Sequence, residues 1–431
     1  MAVLPAEKVN SFMQNRVVKN AGWMIAEQAV QMIISFIIGI LTVRYLGPSN
    51  YGVINYCNAY TAFFTAIAGL GIEAIVVKEL IARPEEQGEI IGSSIFMRLL
   101  AGLFSMVSIF IILFFVDKGD PVILKVSLLQ SSVLVFKAFE IIDFWFQSKL
   151  QSKYASILKS ISYVLVAAYK VFILVTHKSV EWFAFSVSLD FLIIAVLLTI
   201  AYFRHGGAAF KLSKKISNIL ISQGYHYIIS TLIITIYAQM DKVMIKHMIS
   251  EADTGLYSAA LMICQYWSLI PIAIINSMRP VIMEYKKDGK EEKYKREFSR
   301  LYIILTWLGL GVSLLISLLS PFIMKVVYGE TYVPASGALA IAIWYTTFSV
   351  LGVARGNWLV CEDKNQYAKW FVLFGAITNI ILNFILIPTL GINGAAIATL
   401  VTQLVVCYVG PAVFKDTREN AVQMFKAFVF K

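Results

Sequence analysis

Charge is scarce in this sequence. Asp, Glu, Lys and Arg make up 15% of its 431 residues, where a soluble domain carries nearer ~25%. That shortage excludes an ordinary soluble enzyme or binding module. Cysteine is scarce too. Cys57, Cys264, Cys361 and Cys407 lie far apart, mostly in apolar runs, and no pair has metal spacing, so they read as small hydrophobes. The histidines, His177, His205, His226 and His247, are equally dispersed. No G-x-x-x-x-G-K loop followed by Ser or Thr is present, which argues against an ATP-driven pump. No catalytic triad, carboxylate pair or metal-ligand cluster stands out. The chain reads as a non-enzyme without a cofactor.

What is there is apolar. Hydrophobic residues make up 59% and the mean hydropathy is +0.74, so nearly all of the chain belongs in a bilayer. Apolar stretches read at about 21–45, 51–76, 90–116, 121–145, 155–176, 180–203, 217–248, 253–278, 299–320, 335–358, 367–388 and 392–414, each long enough to cross. The first is too long for a signal-peptide core and lacks a small-residue cleavage site, so it is expected to stay. The formal charge of +11 needs no nucleic-acid partner, because cytoplasmic loops of polytopic proteins collect Lys and Arg. Lys8, Lys431 and 23 others of the 37 basic residues fall on the side of the termini, against 6 opposite. That bias predicts cytoplasmic termini. The mixed-sign run Lys286–Arg296 reads as a solvated connector.

The halves resemble each other. Tyr51-Gly52 at the start of the second span matches Thr254-Gly255 at the start of the eighth. Glu27, Gln31 and Ser35 match Thr231, Thr235 and Gln239. Trp145, Tyr154 and Ala155 match Trp358, Tyr367 and Ala368. Six spans separate the copies, so the repeats share one orientation. The expected fold is an all-α integral membrane protein, with twelve transmembrane helices in two parallel six-helix repeats around a central polar cleft. The lobes would be 19–204 and 217–415, joined by a cytoplasmic linker at 205–216.

The seventh span carries the clearest pattern. Gln223, Tyr227, Thr231, Thr235 and Gln239 fall four apart, and Lys242 and Lys246 continue the line. On a helix this is one slowly drifting stripe. It reads as a cavity wall, since lipid offers polar groups nothing; dry packing against neighbouring helices is the alternative. Gln31 on the first span, Asn55 and Asn58 on the second and Gln265 on the eighth would line the same cleft. Pro271, Pro280 and Pro388 are possible bends or helix ends.

Ionisable residues inside spans cost roughly 2.5–3.5 kcal/mol each by insertion scales, so they need partners or water. Lys242, Lys137, Arg355, Arg98 and Lys246 are candidate contacts for an anionic headgroup. Glu27, Asp190 and Asp241 are candidates for coupling to H+ or Na+. The plainer readings are these: Arg98, Lys159 and Arg355 reach cytoplasmic headgroups and Lys170 external ones, Lys137 pairs with Glu140 within one helix, and Asp190, with no local partner in view, makes an interhelical hydrogen bond.

Several motifs carry a family resemblance. They are Arg44-Tyr45-Leu46-Gly47-Pro48 with Tyr51-Gly52, Asp241-Lys242, Thr254-Gly255-Leu256-Tyr257-Ser258-Ala259-Ala260, Pro271 and Arg279-Pro280. Tyr328-Gly329-Glu330-Thr331-Tyr332 with Pro334-Ala335, and Leu390-Gly391-Ile392-Asn393-Gly394-Ala395-Ala396, complete the set. In this order, over about 20–414, the chain resembles the Wzx-type O-antigen flippases of the multidrug/oligosaccharidyl-lipid/polysaccharide superfamily, which are MATE-like. The resemblance implies a multi-pass protein of the bacterial inner membrane that moves undecaprenyl-diphosphate-linked oligosaccharide outward by alternating access of two lobes, coupled to an ion gradient. It implies membrane lipid and polysaccharide polymerase machinery as partners. The related peptidoglycan-precursor flippases usually have fourteen spans, against twelve here. Two rival readings stand beside it: a drug or small-metabolite antiporter on the same fold, whose cleft should be mainly acidic, and an assembly protein without substrate.

Overall fold

The computed structural model describes residues 16–429. Lys8 and Lys431 lie outside the described residues, as do the side chains of Arg16, Lys19 and His226. Helices dominate, as they must where lipid cannot satisfy backbone groups. In the first half they are α1 (Arg16–Ala68), α2 (Glu73–Ala82), α3 (Gln87–Val116), α4 (Pro121–Ser131), α5 (Val133–Phe136), α6 (Ile141–Ser148), α7 (Ser152–Val175) and α8 (Val180–Arg204). The second half has α9 (Lys214–Met248), α10 (Glu251–Lys287), α11 (Glu291–Tyr328), α12 (Ser336–Cys361), α13 (Ala368–Leu390), α14 (Ile392–Leu404), α15 (Gly410–Val413) and α16 (Lys415–Lys426).

Eleven segments among the described residues are long and apolar enough to cross a membrane, and the first, Gly22–Ala82, has 61 residues. Straight, it would measure roughly 90 Å, about three times the hydrocarbon thickness. It is divided at Gly47, where φ is 68° and ψ 173°, a conformation that a side chain would disfavour. Pro48 follows, and its fixed φ and missing N–H suit a helix's first turn. The second expected span, drawn to residue 76, stops at Ala68, with positive φ at Leu70 and Gly71 before α2 begins. The fourth is broken. Asp120 caps α4 by accepting from Val122 N–H (2.8 Å) and Ile123 N–H (3.0 Å), and the 3₁₀ turn Lys137–Glu140 separates α5 from α6. Pro271 and Pro280 lie inside α10 without ending it, and Pro388 precedes the end of α13 by two residues. The last span passes through a π-helical turn, Val405–Val409.

By contacts the chain divides into two units. One holds the residues up to Tyr45 with Cys57–Leu232, and the other holds Leu46–Tyr56 with the residues from Ile233 onward. Each unit has its own core. In the first, Trp145 is fully buried, stands edge-on to Tyr202 with ring centroids 4.8 Å apart, and donates to Gln87 Oε1 at 2.8 Å. In the second, Trp358 packs with Tyr294, Phe298, Tyr302 and Leu351. Each of the matched tryptophans thus belongs to the core of its own unit.

The segment after α8 is strapped down within the first unit. Lys211 N–H bonds the Gly88 carbonyl (3.0 Å) and Ser213 N–H bonds Ser93 Oγ (2.9 Å). In the second unit Lys286 bridges Glu291 and Glu362, each at 2.9 Å. Burial would raise the Glu362 carboxyl, but the bonds from Lys286 and Tyr294 more than offset it and hold it below the usual range.

Within the second unit the residues around Gly52 cross those around Gly255 at contact distance. A Cβ on Gly52 would collide with the carbonyl oxygen of Glu251, and one on Gly255 with that of Pro48. The contact is reciprocal and pairs the two positions that the internal repeat matches.

Candidate functional site

A concentrated polar site lies inside the second unit and centres on Asp241 of α9, which is 6% exposed. Its carboxylate accepts from Asn383 Nδ2 at 2.6 Å, Thr399 Oγ1 at 2.7 Å and Tyr257 Oη at 2.8 Å. Four helices thus converge on one side chain: α9, α10, α13 and α14. Asn379, one turn from Asn383 on α13, accepts from Asn383 Nδ2 at 3.0 Å. Thr399 Oγ1 also lies 3.0 Å from the Ala395 carbonyl. A buried carboxylate persists only with such donors or a counter-charge. The set leaves Asn383 Oδ1 and Asn379 Nδ2 buried without partners. Carboxylate, amide and hydroxyl groups gathered at one buried point are the ligand types that hold a proton or a hard cation. Sequence reasoning singled out Asp241 but missed Tyr257, Asn379, Asn383 and Thr399. A signal existed for two of them, since asparagines four apart in the apolar run Ala376–Ile387 are costly in lipid.

Lys242 is also buried and donates to Gln239 Oε1 at 2.9 Å, which ties it to the end of the polar stripe. Lys246 lies 4.9 Å above the Tyr56 ring. Along the stripe, Tyr227 and Thr231 are exposed, and Gln223, Thr235 and Gln239 are half-buried. Gln31, Asn58 and Gln265 are exposed, and Asn55 is half-buried and donates to the Tyr51 carbonyl at 2.9 Å.

The first unit holds a second group of charges. Glu27 is buried and accepts from Tyr163 Oη at 3.0 Å. Asp190 is not without a partner: Ser162 Oγ donates to it at 2.6 Å, an interhelical hydrogen bond from α7 to α8. Lys159 is drawn inward to Asp143 at 2.6 Å instead of reaching headgroups. Arg98 does not reach them either. It is 3% exposed, with Glu73 and Glu140 each 4.0 Å away. With Glu140 turned to Arg98, the expected Lys137–Glu140 pair is not formed, and Lys137 sits 5.0 Å above the Phe191 ring.

Arg355 corrects another expectation. It does not extend to the membrane surface but is 7% exposed, lies 4.7 Å over the Phe371 ring, and donates through Nη1 to the carbonyls of Val406 and Cys407. A π turn shifts backbone carbonyls out of the ordinary i to i−4 ladder, and a planar guanidinium meets them.

These features define a multi-span helical membrane protein with a few ionisable groups buried and partnered inside each helical unit, the build of a transporter. Residues 17–286 match the family described as "Polysaccharide biosynthesis protein". The match covers more than half of the chain, and the chain belongs to that family. Residues 227–385 also match MatE. The chain is similar to "Capsular polysaccharide biosynthesis protein CapF" of Staphylococcus aureus, at 19% identity over 405 residues, covering 90% of this chain and 96% of the relative. It is 23% identical over 403 residues to "Putative O-antigen transporter" of Shigella flexneri, covering 89% and 94%. Among solved structures it shares the fold of "Lipid II flippase MurJ, inward closed conformation", with a TM-score of 0.70 at 14% identity, covering 96% of this chain and 92% of the other.

Proposed function

We propose that this protein is a flippase moving undecaprenyl-diphosphate-linked oligosaccharide, the repeat unit of a surface polysaccharide, from the cytoplasmic to the periplasmic leaflet of the inner membrane by alternating access. The observation that carries this reading is the α9 stripe leading from amides and hydroxyls, which suit sugars, to the buried Lys242, which suits a diphosphate, in a chain of this family. A strain lacking the protein tests it. Lipid-linked oligosaccharide should accumulate inside and surface polysaccharide should be lost; normal surface polysaccharide would sink the proposal. The MatE match favours a second reading, a drug or small-metabolite antiporter. Unchanged polysaccharide together with new drug sensitivity in the same strain would select it.

The Asp241 cluster is the proposed coupling site. Asp241, Asn379, Asn383 and Thr399 would hold a sodium ion or a proton, and the orphaned Asn383 Oδ1 supports the fit. Lys242→Gln should then leave the protein inserted but reduce export, and Lys242→Arg should retain more activity, because charge matters more than geometry for a releasable headgroup. Lys246→Gln should do less harm. Export assays at matched protein levels compare them, and full export by Lys242→Gln would remove Lys242 from the path.

The proposed topology is twelve crossings with both termini cytoplasmic, α1 supplying two of them on either side of Gly47. A cysteine placed beside Gly329 should react with an impermeant maleimide in intact cells, and one beside Gly289 should not. Labelling at Gly289 would overturn the orientation.

A further inference from the structure

Within the first unit, the opening turns of α1 lie along α7. Asn20 Nδ2 donates to Ser152 Oγ at 3.0 Å, and Ser152 N–H donates to Asn20 Oδ1 at 2.7 Å. Deeper in, Tyr163 reaches Glu27. Between these fastenings the two helices leave a groove of about 420 Å³, lined by Trp23, Val30, Ile157, Ile161, Val164 and Leu165 among others. Its walls are mostly apolar, with Glu27, Ser156 and Ser160 as the polar members, and they open to the side: Ile161 is 44%, Val164 54% and Leu165 49% exposed. From Ser156 to Leu165 α7 rises roughly 13 Å, close to half of the ~30 Å hydrocarbon thickness.

Trp23 heads this groove and also lines a second hollow, of about 390 Å³, whose other walls include Asn20, Lys149, Gln151 and Lys153. Lys153 Nζ stands 5.4 Å from the Trp23 ring centre and Lys149 Nζ 3.9 Å from that of Trp145. Two cations held over aromatic rings, both lining a hollow of mixed polar and apolar walls, thus adjoin through Trp23 a mostly apolar trough roughly 13 Å long. Head and tail chemistry are laid end to end.

We infer that this is a docking site within the first unit for an isoprenoid chain carrying a diphosphate, with the head between Lys149 and Lys153 and the chain in the groove between α1 and α7. The inference rests on the flippase reading and deepens it, because a carrier lipid held there is captured before it crosses. Two ammonium groups in one small hollow match a head with more than one negative charge. A phosphodiester lipid brings only one. The proposed topology places both lysines at the cytoplasmic side, where such a substrate would be made.

The test is equilibrium binding to the full chain in phosphatidylcholine nanodiscs, with undecaprenyl diphosphate as the probe and bound lipid counted by native mass spectrometry. Lys149→Gln with Lys153→Gln should weaken binding roughly tenfold or more, by loss of charge-assisted contacts. Ile161→Trp, which fills the groove and leaves both lysines in place, should weaken it similarly. Neither phosphatidylglycerol nor inorganic diphosphate should displace the probe at equal concentration. Wild-type affinity in both variants would overturn the site. Displacement by phosphatidylglycerol would overturn it in favour of an ordinary membrane-lipid groove, and displacement by inorganic diphosphate in favour of a free-anion site. Failure here leaves the deletion phenotype untouched, so the docking site and the flippase reading fall separately.

Discussion

Asp241→Asn should leave the protein folded and inserted yet lower polysaccharide export up to about 50-fold. One charge moved through 100 mV is worth about 2.3 kcal/mol, which is a factor of roughly 50. The amide keeps the shape of the carboxylate, and Asn383 can turn its own amide to meet it, so packing is retained while the charge is lost. Asp241→Ala is the contrasting variant. It leaves Tyr257, Thr399 and Asn383 buried without their acceptor, at about 1–3 kcal/mol each, and should also lower the amount of folded protein. Export assayed with and without an uncoupler at matched protein levels separates the two effects. Full, uncoupler-sensitive export by Asp241→Asn would move coupling elsewhere, with Glu27 and Asp190 next to be neutralised.

Gly52→Ala and Gly255→Ala should each destabilise the protein, although alanine is ordinarily favoured over glycine inside a helix by about 1 kcal/mol. At either position the new methyl group meets a carbonyl oxygen of the crossing segment, and overpacking of this kind costs roughly 1–3 kcal/mol. The double variant should cost less than the sum of the two. Once the backbones have parted to admit one methyl group, the other finds space, which is the coupling expected between groups in direct contact. Thermal unfolding in detergent for the four members of the cycle measures it. Additive losses would show that the two collisions are relieved independently.

The sequence made the helices legible because their boundaries carry local chemistry. Gly47-Pro48 and Gly329 mark breaks that the structure shows, and α9 starts three residues before the expected span and ends with it. The interruption of the fourth span at 132–140 was not legible, since no glycine or proline marks it. The matched dipeptides Tyr51-Gly52 and Thr254-Gly255 were legible as a repeat, but that they touch was not. Charges were misread for one physical reason. A basic residue near a span end is read by its depth, whereas Arg98, Lys159 and Arg355 are held by partners from other helices. The Asp241 cluster shows the same limit. Its partners Asn383 and Thr399 lie 142 and 158 residues away in sequence, so the acid and the costly asparagine pair could each be seen in advance, but not that they meet.

The π turn at Val405–Val409 bears on how the protein is made. Arg355 is placed in α12 about fifty residues before Val406, the residue whose carbonyl it will hold, is synthesised. At ~5–20 residues per second the ribosome needs roughly three to ten seconds to cover that interval. Throughout it, a guanidinium in an apolar helix bears the insertion cost of a charged side chain with its acceptors still unmade. The last membrane segment is therefore a clasp for an earlier one, and insertion of the second half is complete only when the chain has been read past residue 407.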